Sequence, residues 1–117
     1  MICPYRDSMI KFDDKKKIFY STKINDGTYI SGFGIKLNGD ARREDVLREI
    51  AVKNGIRQQT IVRLNQTHST NIHTIVGMQK ELLTVIKNCD GAVTSTPRTL
   101  LTILTADCVP LLLVDKQ

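Results

Sequence analysis

Two short polar islands stand out in the sequence, and both carry side chains that can bind a metal or attack an electrophile. The first is Gln66-Thr67-His68-Ser69. The second is Thr105-Ala106-Asp107-Cys108-Val109-Pro110. An imidazole nitrogen and a thiolate sulfur together suit Zn²⁺ or copper, and a bound metal would hold the thiol deprotonated. Catalytic zinc takes three protein ligands and keeps one position open, so His68 and Cys108 are one donor short. His73, the only other histidine, stands five residues further on within a strand-like run, a spacing that turns it to the opposite face. Cys3 and Cys89 lack a matching constellation. The same pair admits a second chemistry, with Cys108 as nucleophile, His68 as its base, and Asp107 or Asp90 orienting the imidazole.

Each island also has a plain reading. A loop histidine is most often a surface residue, and a cysteine among Leu and Val most often packs as a small hydrophobe. Asp107 resists that reading. A carboxylate at the end of a buried strand needs donors or a cation, because a lone buried charge costs several kcal/mol. Pro110 cannot donate to a central ladder, so the strand should break near Asp107 and Cys108.

The elements that must position these residues follow from pattern. Met9 to Phe12 and Ile18 to Thr22 read as a hairpin around the charged turn that contains Lys15-Lys16-Lys17. Asn25-Asp26-Gly27 is a turn, and Tyr29 to Ile35 a strand whose Gly32 and Gly34 suggest a bulge or a close backbone approach. Asp40 is placed to cap a helix with the stripe Val46, Leu47, Ile50 and Ala51, ended by Asn54-Gly55. Thr60 to Leu64 and Ile72 to Val76 read as strands on either side of the His68 loop. Met78, Leu82, Val85 and Ile86 line up as the core face of a second helix over Met78 to Asn88. Asp90-Gly91 turns into the strand Ala92 to Thr94. Thr99 to Leu104 and Val109 to Val114 look like strands buried on both faces. About eight strands and two helices in mixed order predict an α+β fold, with mixed sheets flanked by helices. The chain stops directly after its most buried-looking strand, which reads as a truncated chain.

Size and composition bound the rest. At 117 residues and 41% apolar content the chain makes one domain, residues 1–117, with one modest core. Three cysteines far apart are no disulfide scaffold. Free thiols and no export signal point to the cytoplasm. The run Leu100 to Val114 is too short and too polar to span a bilayer. Of the 17 basic groups, 12 lie in residues 1–57 against 8 acids, so the net charge of +5 is concentrated there. No basic stretch is interleaved with aromatics, which argues against a nucleic-acid partner.

At the two islands the sequence resembles the laccase-domain family, also named multicopper polyphenol oxidase-like or purine nucleoside phosphorylase proteins. The family pattern runs Gln-Val-His-Gly, Asp-Ala/Gly-x-Val-Thr, Thr-Ala-Asp-Cys-x-Pro, then His-Ala-Gly-Trp-Arg-Gly. This chain has Gln66-Thr67-His68-Ser69, Asp90-Gly91-Ala92-Val93-Thr94 and Thr105-Ala106-Asp107-Cys108-Val109-Pro110 in that order. Ser21-Thr22-Lys23 and Asn38-Gly39-Asp40 echo weaker segments, so the resemblance covers about residues 18 to 115. It departs at Thr67 and Ser69, at Lys23 where an Arg is usual, and in the helix from Arg42, which lacks an Asn-Arg pair. The last motif does not occur in the 117 residues.

The resemblance implies a zinc-dependent purine nucleoside phosphorylase acting on adenosine, inosine, guanosine or methylthioadenosine, with adenosine deamination as a second activity. Purine nucleoside and phosphate are then the partners, with no nucleic acid and no membrane. His68 and Cys108 would be two of three zinc ligands. Asp107 and Cys108 would be the catalytic pair, Asp107 steadying a ligand or moving a proton. Copper ranks below zinc, since a multicopper oxidase needs many more histidines than two. The alternatives are a cysteine hydrolase, such as a peptidoglycan-precursor editing enzyme, and an inactive fragment that binds metal weakly.

Overall fold

The computed structural model describes residues 10–25, 29–34, 39–55 and 60–115. Cys3, Met9, Asp26, Gly27, Ile35, Asn38, Lys116 and Gln117 fall outside that set. The chain divides into two compact units, residues 1–40 with 112–117, and residues 41–111. Both contribute to a mixed α+β architecture with several sheets and, among the described residues, one helix.

In the first unit, β1 (Ile10–Asp13), β2 (Ile18–Ser21) and β3 (Phe33–Gly34) form an antiparallel sheet in that order. The turn between β1 and β2 is built by Asp13, whose Oδ1 accepts from the backbone N–H of Lys15 and of Lys16, both at 3.0 Å. Lys17 closes it in the left-handed region, φ 54°, with its Nζ 2.7 Å from the Asp14 carboxylate. The lysine run is therefore a solvated turn, as its flanking acids suggest. Phe12 and Phe19 face each other across the pair, ring centroids 4.7 Å apart. The strand expected over Tyr29 to Ile35 shrinks to Phe33–Gly34. A Cβ on Gly32 would lie 3.1 Å from the Phe19 carbonyl oxygen, so this is the close approach its glycines signal.

In the second unit, α1 (Glu44–Lys53) begins four residues after Asp40. Arg43 occupies the N-cap position without a side-chain cap bond, and the acids Glu44 and Asp45 sit in the first turn, where they complement the helix dipole. Leu47 and Ala51 are buried as the stripe requires, and Gly55, φ 70°, ends the helix.

Five strands follow: β4 (Thr60–Asn65), β5 (Ile72–Ile75), β6 (Leu83–Lys87), β7 (Gly91–Thr94) and β8 (Thr99–Thr102). They alternate between two sheets. β6, β4 and β8 make one, in that order, and β5 and β7 make the other. Every pair in both sheets is parallel. Parallel neighbours need a crossover: β4 reaches β6 through β5, and β5 reaches β7 through β6, each a strand of the opposite sheet. Val62, Leu64, Ile75 and Cys89 form the core between the sheets, with Ile86, Ala92, Leu101 and Ile103 packed against them.

Two expectations fail here. The second helix over Met78 to Asn88 is absent. Leu83–Lys87 is strand β6, paired to β4 from Ile61↔Leu83 to Asn65↔Lys87. Short runs rich in Val, Ile and Thr fit either period, and pairing with a central strand decides between them. The strand over Val109 to Val114 is also absent. Val109, Leu111 and Leu113 are 84%, 75% and 91% exposed, and β8 is half-buried along its length. No helix of the described residues is long and apolar enough to cross a membrane.

The contrast between the last residue of β5 and the one after it gives a stability test. Ile75 is 3% exposed and Val76, the next residue, 81%. Ile75→Ala should destabilise the fold by about 2–5 kcal/mol in denaturant unfolding, whereas Val76→Ala should stay within about 0.5 kcal/mol.

Candidate functional site

Because β4, β6 and β8 run parallel, the loops that leave them emerge at the same end of their sheet. They are residues 66–71, 88–90 and 103–111, and they hold His68, Asp90, Asp107 and Cys108. All lie within one unit of the chain.

Asp90 organises this end. One of its carboxylate oxygens accepts from Thr67 N at 3.0 Å, Ser69 N at 2.9 Å and Ser69 Oγ at 2.8 Å. The other accepts from His68 N at 3.0 Å. Three consecutive backbone amides thus converge on one anion, a nest of the kind that binds phosphate or carboxylate elsewhere. His68 takes φ 56° to make the concavity, and Asn88 in the facing loop takes φ 54°. A non-glycine residue in this region costs of order 1–3 kcal/mol, so the hydrogen bonds must over-determine it. Further bonds lace the two loops: Asn71 Nδ2 to Asn88 O at 2.8 Å, and Asp90 N to Asn71 O at 3.1 Å.

The third loop is tied by Gln66. Its side-chain amide donates to Leu104 O at 2.8 Å and accepts from Leu104 N at 2.7 Å. Asp107 and Cys108 follow within a bend, and both are exposed. Asp107, expected at the end of a buried strand, therefore needs no buried donor or cation, because water solvates its carboxylate. Its surroundings differ because β8 ends at Thr102, before the polar island starts.

His68 and Cys108 bring the nitrogen and sulfur chemistry that zinc prefers to one end of the sheet. Among the described residues no three His, Cys, Asp or Glu side chains form a group that could hold a metal ion. The described residues therefore do not complete a metal centre. His73 is exposed on β5, and Cys89 is buried in the core.

The sequence offers Asp107 or Asp90 to the imidazole only if Cys108 is a nucleophile, and it gives Gln66 no task. The structure spends the Asp90 carboxylate on backbone amides, and it gives Gln66 the link to Leu104. The available signal was position, a Gln directly after a strand and an Asp directly before one.

The amides that surround Asp90, Thr67 N first and then Ser69 N, pull its pKa down to about 2 against their opponent, partial burial. Its folded value lies below its unfolded value near 3.8, so its contribution is fully present above that value and is lost as pH falls through about 2. Amide exchange of Thr67, His68 and Ser69, followed by NMR from pH 5 downward, should lose its excess protection between about pH 4 and 2. Loss centred above pH 4 would contradict the assignment.

A family described as multi-copper polyphenol oxidoreductase laccase matches residues 33–117. A purine nucleoside phosphorylase of Clostridium acetobutylicum is 32% identical over 111 residues, 94% of this chain and 41% of that protein. One from Rickettsia prowazekii is 34% identical over 105 residues, 87% and 41% of the two chains. One from Mycobacterium tuberculosis is 35% identical over 68 residues, 58% and 26%. The chain thus spans well under half the length of these relatives. No solved structure matches it. On the family match, which covers every loop of the site, the chain belongs to the multi-copper polyphenol oxidoreductase laccase family.

Proposed function

We propose that this chain contributes to a cytoplasmic purine nucleoside phosphorylase, with its reactive groups on the loops beyond β4, β6 and β8. The observation that carries the reading is the set of hydrogen bonds that Asp90 accepts and those that Gln66 makes with Leu104. They gather the His68 loop and the segment leading to Cys108 at one end of a sheet. The similarity to proteins named purine nucleoside phosphorylase supports phosphorolysis as the reaction.

In phosphorolysis a phosphate oxygen bonds to the anomeric carbon of the ribose as the bond from that carbon to the purine nitrogen breaks. The electron pair leaves with the base, which is then protonated. In this reading Asp107, exposed in the same loop as Cys108, would move a proton to or from the departing base. Exposure of Cys108 leaves its sulfur accessible as a ligand. In this reading His68 and Cys108 are two zinc ligands, and the third comes from outside the described residues. A zinc ion there would polarise phosphate or a bound water. Adenosine, inosine, guanosine and methylthioadenosine are the candidate substrates, and adenosine deamination is a further activity to assay at the same site.

The test is release of hypoxanthine from inosine by the zinc-supplied protein, followed by chromatography together with ribose 1-phosphate. Release should require phosphate, and His68→Ala and Cys108→Ser should each lower it at least about a hundredfold. Zinc content should fall in both variants. Base release that ignores phosphate, or that survives both substitutions, would overturn the reading. Trapping of Cys108 by a substrate-derived acyl group without metal would transfer the site to hydrolase chemistry.

A further inference from the structure

β4 and β8 pair in parallel register up to Arg63↔Thr102. Continued in the same register, Asn65 falls opposite Leu104, where β8 has already ended. At that point the Gln66 side chain replaces the ladder. Its Nε2 donates to Leu104 O at 2.8 Å and its Oε1 accepts from Leu104 N at 2.7 Å. A primary amide offers a donor and an acceptor in one plane, as a peptide group does, so it satisfies both backbone groups of one residue at once. Gln66 directly precedes the nest that carries His68, and Leu104 stands four residues before Cys108.

We propose that Gln66 is a positioning residue that couples the Asp107–Cys108 segment to the His68 loop, so that the two loops hold a fixed relation. It touches no reacting atom and acts through the backbone of Leu104. The functional meaning of the coupling rests on the reading above, in which His68 and Cys108 share one ligand.

Two variants separate coupling from mere space filling. Gln66→Met keeps the length of the side chain and removes both bonds. Gln66→Glu makes the link depend on protonation. A neutral carboxylic acid donates and accepts as the amide does, whereas a carboxylate cannot donate and faces the Leu104 carbonyl oxygen. In the full chain, Leu104 amide exchange should be about tenfold faster than wild type in Gln66→Met at every pH. In Gln66→Glu it should also be faster than wild type at pH 7, where the carboxylate cannot donate to the Leu104 carbonyl.

Cadmium titration, read by the thiolate-to-metal absorption that disappears in Cys108→Ser, supplies the second arm. Gln66→Met should weaken Cd²⁺ binding at Cys108 about tenfold or more, and adding His68→Ala to it should cost little further. An unchanged Leu104 rate in Gln66→Met, or Cd²⁺ binding at Cys108 that is the same in Gln66→Met as in wild type, would overturn the proposal. Expected exchange rates together with Cd²⁺ binding that ignores His68 in the wild-type background would support the coupling and overturn the shared-ligand reading instead.

Discussion

A carboxylate that gathers three successive amides does what no strand partner is available to do. Thr67, His68 and Ser69 lie beyond the end of β4, and their N–H groups have left the ladder. Unsatisfied backbone donors cost free energy comparable to a lost hydrogen bond wherever water is partly excluded. Asp90 satisfies all three and, in doing so, stabilises a backbone that a histidine would otherwise avoid. The position of the His68 imidazole is set through that backbone.

This arrangement depends on the topology. A chain that alternates between two sheets sends every second strand in the same direction, so β4, β6 and β8 open their loops at one end. Asp90 reaches the His68 loop because β6 ends beside β4 with Asn65 opposite Lys87. Gln66 reaches Leu104 because β8 ends on the other side of β4. A central strand buried on both faces thereby supports a loop held from both flanks. Residues distant in sequence meet through strand register, with no need for a long rigid insertion.

Much of this was legible beforehand. The hairpin over Lys15-Lys16-Lys17, the helix stripe at Leu47 and Ala51, and the strands around His68 follow from local pattern and hold in the structure. Leu83–Lys87 was misread because Leu82, Val85 and Ile86 fit a helical stripe, and only parallel pairing to β4 makes the segment a strand. Val109 to Val114 was misread because apolar composition was taken as burial, whereas Val109, Leu111 and Leu113 face outward. The motif residues His68, Asp107 and Cys108 stood out by chemical type. Gln66 and Asp90 act through backbone groups of residues far away in sequence, 38 positions on for Gln66 and 21 to 23 back for Asp90, and no local pattern carries that information.

The most direct test of the central claim is residue-resolved amide exchange in Asp90→Asn at neutral pH. An amide side chain offers one acceptor oxygen where the carboxylate offers two, and it turns a donor toward the remaining N–H groups. The account predicts exchange at Thr67, His68 and Ser69 accelerated about tenfold or more, with Val62, Leu64 and Ile75 as protected as in the parent protein. Unchanged exchange at those three amides would contradict it, because the loop would then hold its shape without the anion.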